Sequence, residues 1–196
     1  MPYHVIKSTE FKGLVCFNPS SDINTSELNL SHWIEKPSGN HGFLEMKGDK
    51  FVFEDGTPVK FWGTNLAGNL PFMKPEEARK WADFLVSYGF NSVRFHKFTW
   101  NATDGVHSTE ITADKWQNFD FLCNELRNKG IYYGWSHIYG HRICPADSNR
   151  LLAYSEIANT KFPWSHLNGT TSALVNFAED LQNVNIELTI NMLNQH

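Results

Sequence analysis

One phrase in this chain is written twice, and it constrains the fold more than any other feature. Residues Leu85 to His96 read LVSYGFNSVRFH, and Leu126 to His137 read LRNKGIYYGWSH. Each copy opens on a Leu, reaches a Gly four residues later, and continues through an apolar-rich run. Each ends on a His seven residues after the Gly, and the copies are offset by 41 residues. A Gly behind an amphipathic stretch is a helix stop, because a residue without a β-carbon tolerates positive φ at the cap. The run after it has the length of a strand. Helix, stop and strand recurring in this order indicate βαβ units and a parallel sheet.

The flanking segments extend the pattern. From Lys74 to Tyr88, Pro75 suits a first helical turn, and Glu76 and Glu77 suit the positive end of the dipole. Ala78, Trp81, Ala82, Leu85 and Val86 form the apolar stripe of that helix. Thr112 can cap a second helix through about Lys129, with Trp116, Phe119, Leu122, Cys123 and Leu126 on its buried side. A third helix is expected from about Ser172 to the end, striped by Leu174, Phe177, Leu181, Val184 and Leu188. Upstream, GFLEMKGDKFVFEDG has hairpin chemistry, with Phe51 and Phe53 covering one face, and Val59 to Asn65 is the next strand. The organisation is then an irregular N-terminal extension over 1–40, a β-hairpin over 41–56, and an α/β unit over 57–196.

Charge and composition exclude several classes of partner. A net charge of -4 gives no basic field for nucleic acid or an anionic membrane surface. No apolar run is long enough to span a membrane, and MPYHVIKSTEFKGLV lacks the apolar core of a signal peptide, so the default localisation is cytoplasmic. The three Cys are scattered without a CxxC, which argues against a disulfide framework. Aromatic residues make up 14% of the chain, with seven Trp. That excess serves either a densely packed core or a groove for a flat-faced ligand such as a sugar ring.

In βα architectures ligand chemistry gathers at the carboxyl ends of the strands. His96 and His137 fall there on consecutive strands. Alternation groups Ser92, Arg94 and His96 on one face, opposite Val93 and Phe95, and likewise groups Tyr133, Trp135 and His137. An Arg-x-His face is costly to bury unless it lines a wet, hydrogen-bonded site. Two uses are open. A His–His pair with a carboxylate could hold a metal, as in a metal-dependent hydrolase of a different barrel family. Alternatively, the Arg and His donors could orient a carboxylate and the hydroxyls of a sugar. Spacing alone does not choose, and no motif calls for an organic cofactor.

The stretch FVFEDGTPVKFWGTNL, followed by EEARKWADFLVSYGFNSVRFH, resembles the opening of clan A glycoside hydrolases. The nearest group is the cellulase-like proteins related to glycoside hydrolase family 5. The likeness continues through FDFLCNELRNKGIYYGWSH and covers about residues 40–196. It implies a (β/α)8 TIM barrel that cleaves β-linked glycans with retention of configuration. It also implies roles for particular residues. Arg94 would support the catalytic nucleophile, His137 would match a sugar-binding histidine, and His96 would be a further substrate contact. Trp62 and Asn65 match the first-strand motif, and Trp135 would be a stacking surface.

The chain departs from that pattern in one respect. A retaining glycosidase needs two carboxyl groups about 5–5.5 Å apart, and in this clan they follow the fourth and seventh strands. The one Asn-Glu pair here, Asn124-Glu125, lies within the second predicted helix. Asp104, Glu110 and Asp147 fall in the βα loops and are expected to be solvated. A complete barrel takes about 250 residues, so the reading is an incomplete barrel of about three βα units behind the hairpin. It would have no catalytic residues of its own and would need the missing half of the barrel, or self-association, to be completed. A non-catalytic carbohydrate-binding fragment is the remaining alternative.

Overall fold

The computed structural model describes residues 29–136, 142–159 and 177–195. Residues 1–28 of the N-terminal extension, His137, and residues 172–176 of the expected last helix lie outside the described residues.

The hairpin forms where the turn chemistry places it. Strand β1 (Leu44–Lys47) pairs antiparallel with β2 (Lys50–Phe53), with Lys47 opposite Lys50. Gly48 and Asp49 make the two-residue turn, and Gly48 sits at φ 65°, a conformation that a β-carbon disfavours. Phe53 is buried but Phe51 is half exposed, so the two do not share one covered face as expected. The next strand also starts later than Val59. The Thr57 carbonyl accepts from the Phe53 amide, and the Val59 amide donates to Phe51, so residues 57–59 run beside the hairpin instead.

The second sheet carries the repeat. Strands β3 (Gly63–Ala67), β4 (Ser92–His96) and β5 (Tyr132–Ser136) lie side by side and parallel, in chain order. Between them run α1 (Pro75–Ser87) and α2 (Ala113–Asn128). A short α3 (Tyr154–Asn159) and α4 (Glu179–Gln195) follow. This is a mixed α/β fold with a parallel sheet, and none of its described helices is long and apolar enough to cross a membrane.

One face of the sheet is covered. Leu66, Val93 and Phe95 join Ala78, Ala82, Leu85 and Val86 of α1 and Phe119, Leu122 and Leu126 of α2 in a single core. The Phe119 ring lies 5.0 Å from Phe95 and 5.6 Å from Phe98, centroid to centroid. Each such ring removes about 150–250 Å² from water, which makes this cluster a principal source of stability. Trp81 belongs to the predicted stripe of α1 but sits at its edge, 36% exposed, against Phe84.

Helix α4 corrects the expected third repeat. A helix returning along the sheet would finish beside the last turn of α2. Instead Asn191, Met192, Asn194 and Gln195 line a cavity with Ala113, Trp116 and Gln117, at the first turn of α2. Polar links hold it to the loop after β4. Thr109 Oγ1 donates to Glu187 (2.7 Å), and Asn191 Nδ2 donates to the Thr109 carbonyl (3.0 Å). Phe177 precedes the helix and is 87% exposed, so it is not part of the buried stripe.

The repeated Gly has a second task beyond stopping helices. Residues 30–39 form a strap that crosses the ends of both helices at the amino end of the sheet. The Leu30 amide donates to Ser87 and the Ser38 amide to Arg127, both at 2.9 Å. Ser38 Oγ donates to Ile131, and the Gly39 amide to the Tyr132 hydroxyl. Gly89 and Gly130 close α1 and α2 at φ 76° and 82°. A β-carbon on Gly130 would run into the Glu35 carbonyl and the Ile34 side chain, and one on Gly89 would press on Leu30. The stop glycines therefore also clear the path of the strap.

This gives a test. Gly130→Ala should destabilise the protein by about 1–3 kcal/mol, from left-handed backbone and overlap together. Gly134→Ala, whose added β-carbon meets nothing within 4 Å, should shift stability by no more than about 1 kcal/mol. Denaturant unfolding midpoints of the two variants make the comparison.

Candidate functional site at the open face of the parallel sheet

Strand register determines which side chains meet. Leu66, Phe95 and Trp135 are aligned across the sheet, as are Asn65, Arg94 and Gly134, and then Ala67, His96 and Ser136. Side chains alternate along a strand, so the first row faces the helices and the other two face away. On the face away from the helices, Asn65, Arg94 and Gly134 are all exposed.

Asn65 and Arg94 therefore stand side by side on neighbouring strands, about 4.8 Å apart at the backbone. His96 lies one step further toward the carboxyl end. Its Nδ1 is 3.4 Å from Ser136 Oγ. Burial, followed by the positive charges of Arg94 and Lys97, pulls its pKa below the ordinary value of 6.5, so the ring is held neutral near pH 7. Arg94 has no hydrogen-bond or ion-pair partner among the described residues. Its planar fork of donors is available to a carboxylate. Lys97 turns the chain away at φ 56°, while its amide donates to the Ser136 carbonyl and prolongs the pairing of β4 with β5.

Two of the other sequence-predicted residues lie elsewhere. Trp135 aligns with Phe95 and sets its ring edge-on to Phe98 (6.3 Å) and Phe119 (5.6 Å), on the helix-covered face. It does not share a face with Arg94. Trp62 precedes β3 and stacks on Phe90, 65% exposed, at the amino end of the sheet. Five residues separate it from the row of His96, about 16 Å along an extended chain. His137 lies outside the described residues.

The open face also holds residues that the sequence reading did not single out. Tyr132, Gly134 and Ser136 are the β5 members of this face. Tyr132 is packed by Phe53 (5.3 Å) and, edge-on, by Phe61 (5.6 Å). These rings, with Phe43 and Leu44, line a cavity of about 430 Å³ between the hairpin and the sheet. The aromatic excess is thus divided between the core and a groove on the open face. The alternative parity of YYGWS was the available signal for it.

The loops at the carboxyl rim are tied to one another. Ser108 Oγ accepts from the Cys144 amide, and the Ser108 amide donates to Asp147 Oδ2 at 2.6 Å. Asp147 is buried and paired with Arg150, not solvated as expected. Asp104, His107 and Glu110 cluster on the outer loop with their ligand atoms within 4.8 Å. Asp104 is held down to about 2, first by the bond from His107 and then by the backbone amides of His107 and Val106. His96 is not a member of that cluster.

No family model matches the chain, and no curated protein matches it. Among solved structures, a glycoside hydrolase family 5 protein from Bacteroides vulgatus ATCC 8482 aligns at 20% identity with a TM-score of 0.41. The alignment covers 52% of this chain and 25% of that one. A second structure, described as a glycoside hydrolase, aligns at 21% identity with a TM-score of 0.40, over 52% of this chain and 26% of its own. The chain spans about a quarter of the length of each.

The electrostatics of the open face can be measured. In an NMR titration His96 should protonate below 6.5. Arg94→Gln should raise that midpoint without restoring it fully, since burial, the larger cause, remains. The linkage runs in one direction: as pH falls below 6.5, the unfolded chain takes up the proton before the folded chain does, so stability declines. The decline should be smaller in Arg94→Gln.

Proposed function

We propose that this chain is the N-terminal part of a retaining glycoside hydrolase acting on β-linked poly- or oligosaccharides. In this reading β3, β4 and β5 are staves of a (β/α)8 barrel, and their open face is part of its interior. The observation that carries the proposal is the alignment of Asn65 with Arg94, with His96 one step beyond, on the face away from the helices at the carboxyl ends of parallel strands. The motif order of the sequence supports it independently.

The chemistry assigned to these residues follows from their donors. Arg94 would hold a carboxylate nucleophile ionised through charge-assisted hydrogen bonds. Asn65 and the neutral His96 would bond sugar hydroxyls. The open-face positions are Gly63, Asn65, Ala67, Ser92, Arg94, His96, Tyr132, Gly134 and Ser136, and none is acidic. The two catalytic carboxylates would come from further strands, supplied by the rest of the barrel or by another copy. Such strands would also pair the outer edges of β3 and β5, which pair with no strand among the described residues. The metal-dependent alternative is disfavoured by charge: Arg94 and Lys97 both act on His96 and would repel a cation bound there.

Isothermal titration and NMR mapping with β-linked gluco- and manno-oligosaccharides test the proposal. The expected result is binding without cleavage, with shifts centred on Asn65, Arg94 and His96. Arg94→Ala should weaken affinity about ten-fold or more, whereas Trp62→Ala should leave it unchanged. Shifts confined to other surfaces, or equal affinity in Arg94→Ala, would overturn it.

A further inference from the structure

His41 sits where the strap, the hairpin and the sheet converge. Its Nε2 is 2.7 Å from Glu35 Oε2 on the strap, and its Nδ1 is 2.6 Å from Asp55 Oδ2 in the turn behind β2. Its ring lies on Phe53, with centroids 5.7 Å apart and planes 20° apart. An ionised carboxylate only accepts hydrogen bonds, so each ring nitrogen must donate. Only the imidazolium can do both. We infer that His41 is a protonation-dependent clamp that fastens the strap to the hairpin beneath the amino end of the sheet. A neutral ring has one N–H and must release one of the two carboxylates.

The surrounding groups are consistent with that role. The strap contributes Glu35, and the hairpin turn contributes Asp55, with Thr57 Oγ1 3.3 Å from Nδ1. Lys60 lines the adjoining cavity, of about 370 Å³, and β5 adds only the uncharged Tyr132. Two anions thus converge on one ring. The bond to Glu35, then that to Asp55, raises the His41 pKa. In return Asp55 is drawn down to about 2, chiefly by His41, and Glu35 is lowered, also chiefly by His41. The signs define a window. The raised histidine contributes in full below its ordinary 6.5 and is lost as pH rises through its folded value. The lowered carboxylates contribute above their ordinary 3.8 and 4.5 and are lost as pH falls. The clamp is therefore complete between about 4.5 and 6.5.

Its reach extends to the open face. Phe53, under the His41 ring, stacks in turn on Tyr132, which lines the aromatic groove. Release of His41 loosens the hairpin wall of that groove from the strap.

The test is an NMR titration of the full chain, combined with hydrogen exchange corrected for intrinsic rates. His41 should titrate above the ordinary histidine value, and protection of the Ser38 and Gly39 amides should fall as it loses its proton. His41→Gln should show reduced protection and no pH step. Asp55→Asn and Glu35→Gln, which preserve size, should each lower the His41 midpoint, and they carry the test if His41→Gln does not fold. A midpoint at or below the ordinary value, strap protection indifferent to the His41 titration, or the same step in His41→Gln would overturn the inference.

Discussion

The contact between Phe95 and Phe119 orders the rest of this structure. Phe95 is fully buried and lies ring against ring with a residue of α2. Because side chains alternate on a strand, burying Phe95 turns Arg94 and His96 the other way. The parallel register then carries the same division to β3 and β5, so Asn65 joins Arg94 and Trp135 joins the core. One aromatic contact thus sorts three strands into a packed side and an open side.

Much of this order was visible in the residues. The stop glycines, the boundaries of α1 and α2 and the two-residue hairpin turn follow from local rules, and local rules dominate where a segment's pattern has one period. The SVRFH strand alternates cleanly, so its two sides could be read directly. YYGWS does not: it is apolar or small at every position, and Gly134 leaves the deciding site blank. Only hydrogen-bonded pairing with β4 resolves it, and it resolves against grouping Trp135 with Arg94. Trp62 falls outside the strand for a related reason, since residues 57–59 pair beside the hairpin and the strand begins only at Gly63. Asp147 reads as a loop acid, yet Ser108 and Arg150 draw it inward. His41 gave no periodic signal at all, because its partners are brought together by the fold-back of the hairpin.

The two faces ask for different environments. The helix-covered side is aromatic and dry, and there burial pushes the Cys123 thiol up to about 12, an inert group in a packed interior. The other side offers an uncommitted guanidinium, an amide and a neutral imidazole above an aromatic floor. The outer edges of β3 and β5 pair with no strand among the described residues.

The strap has a consequence for the order of events during synthesis. Ser38 bonds to Ile131 and Gly39 to Tyr132, each across 93 residues of sequence. The segment that underpins the sheet therefore leaves the ribosome well before its seat, which is not made until both helices have emerged. Closing so long a loop is entropically slow compared with assembling the neighbouring βα units. Docking of the strap is accordingly a late step, and it seals a sheet already built.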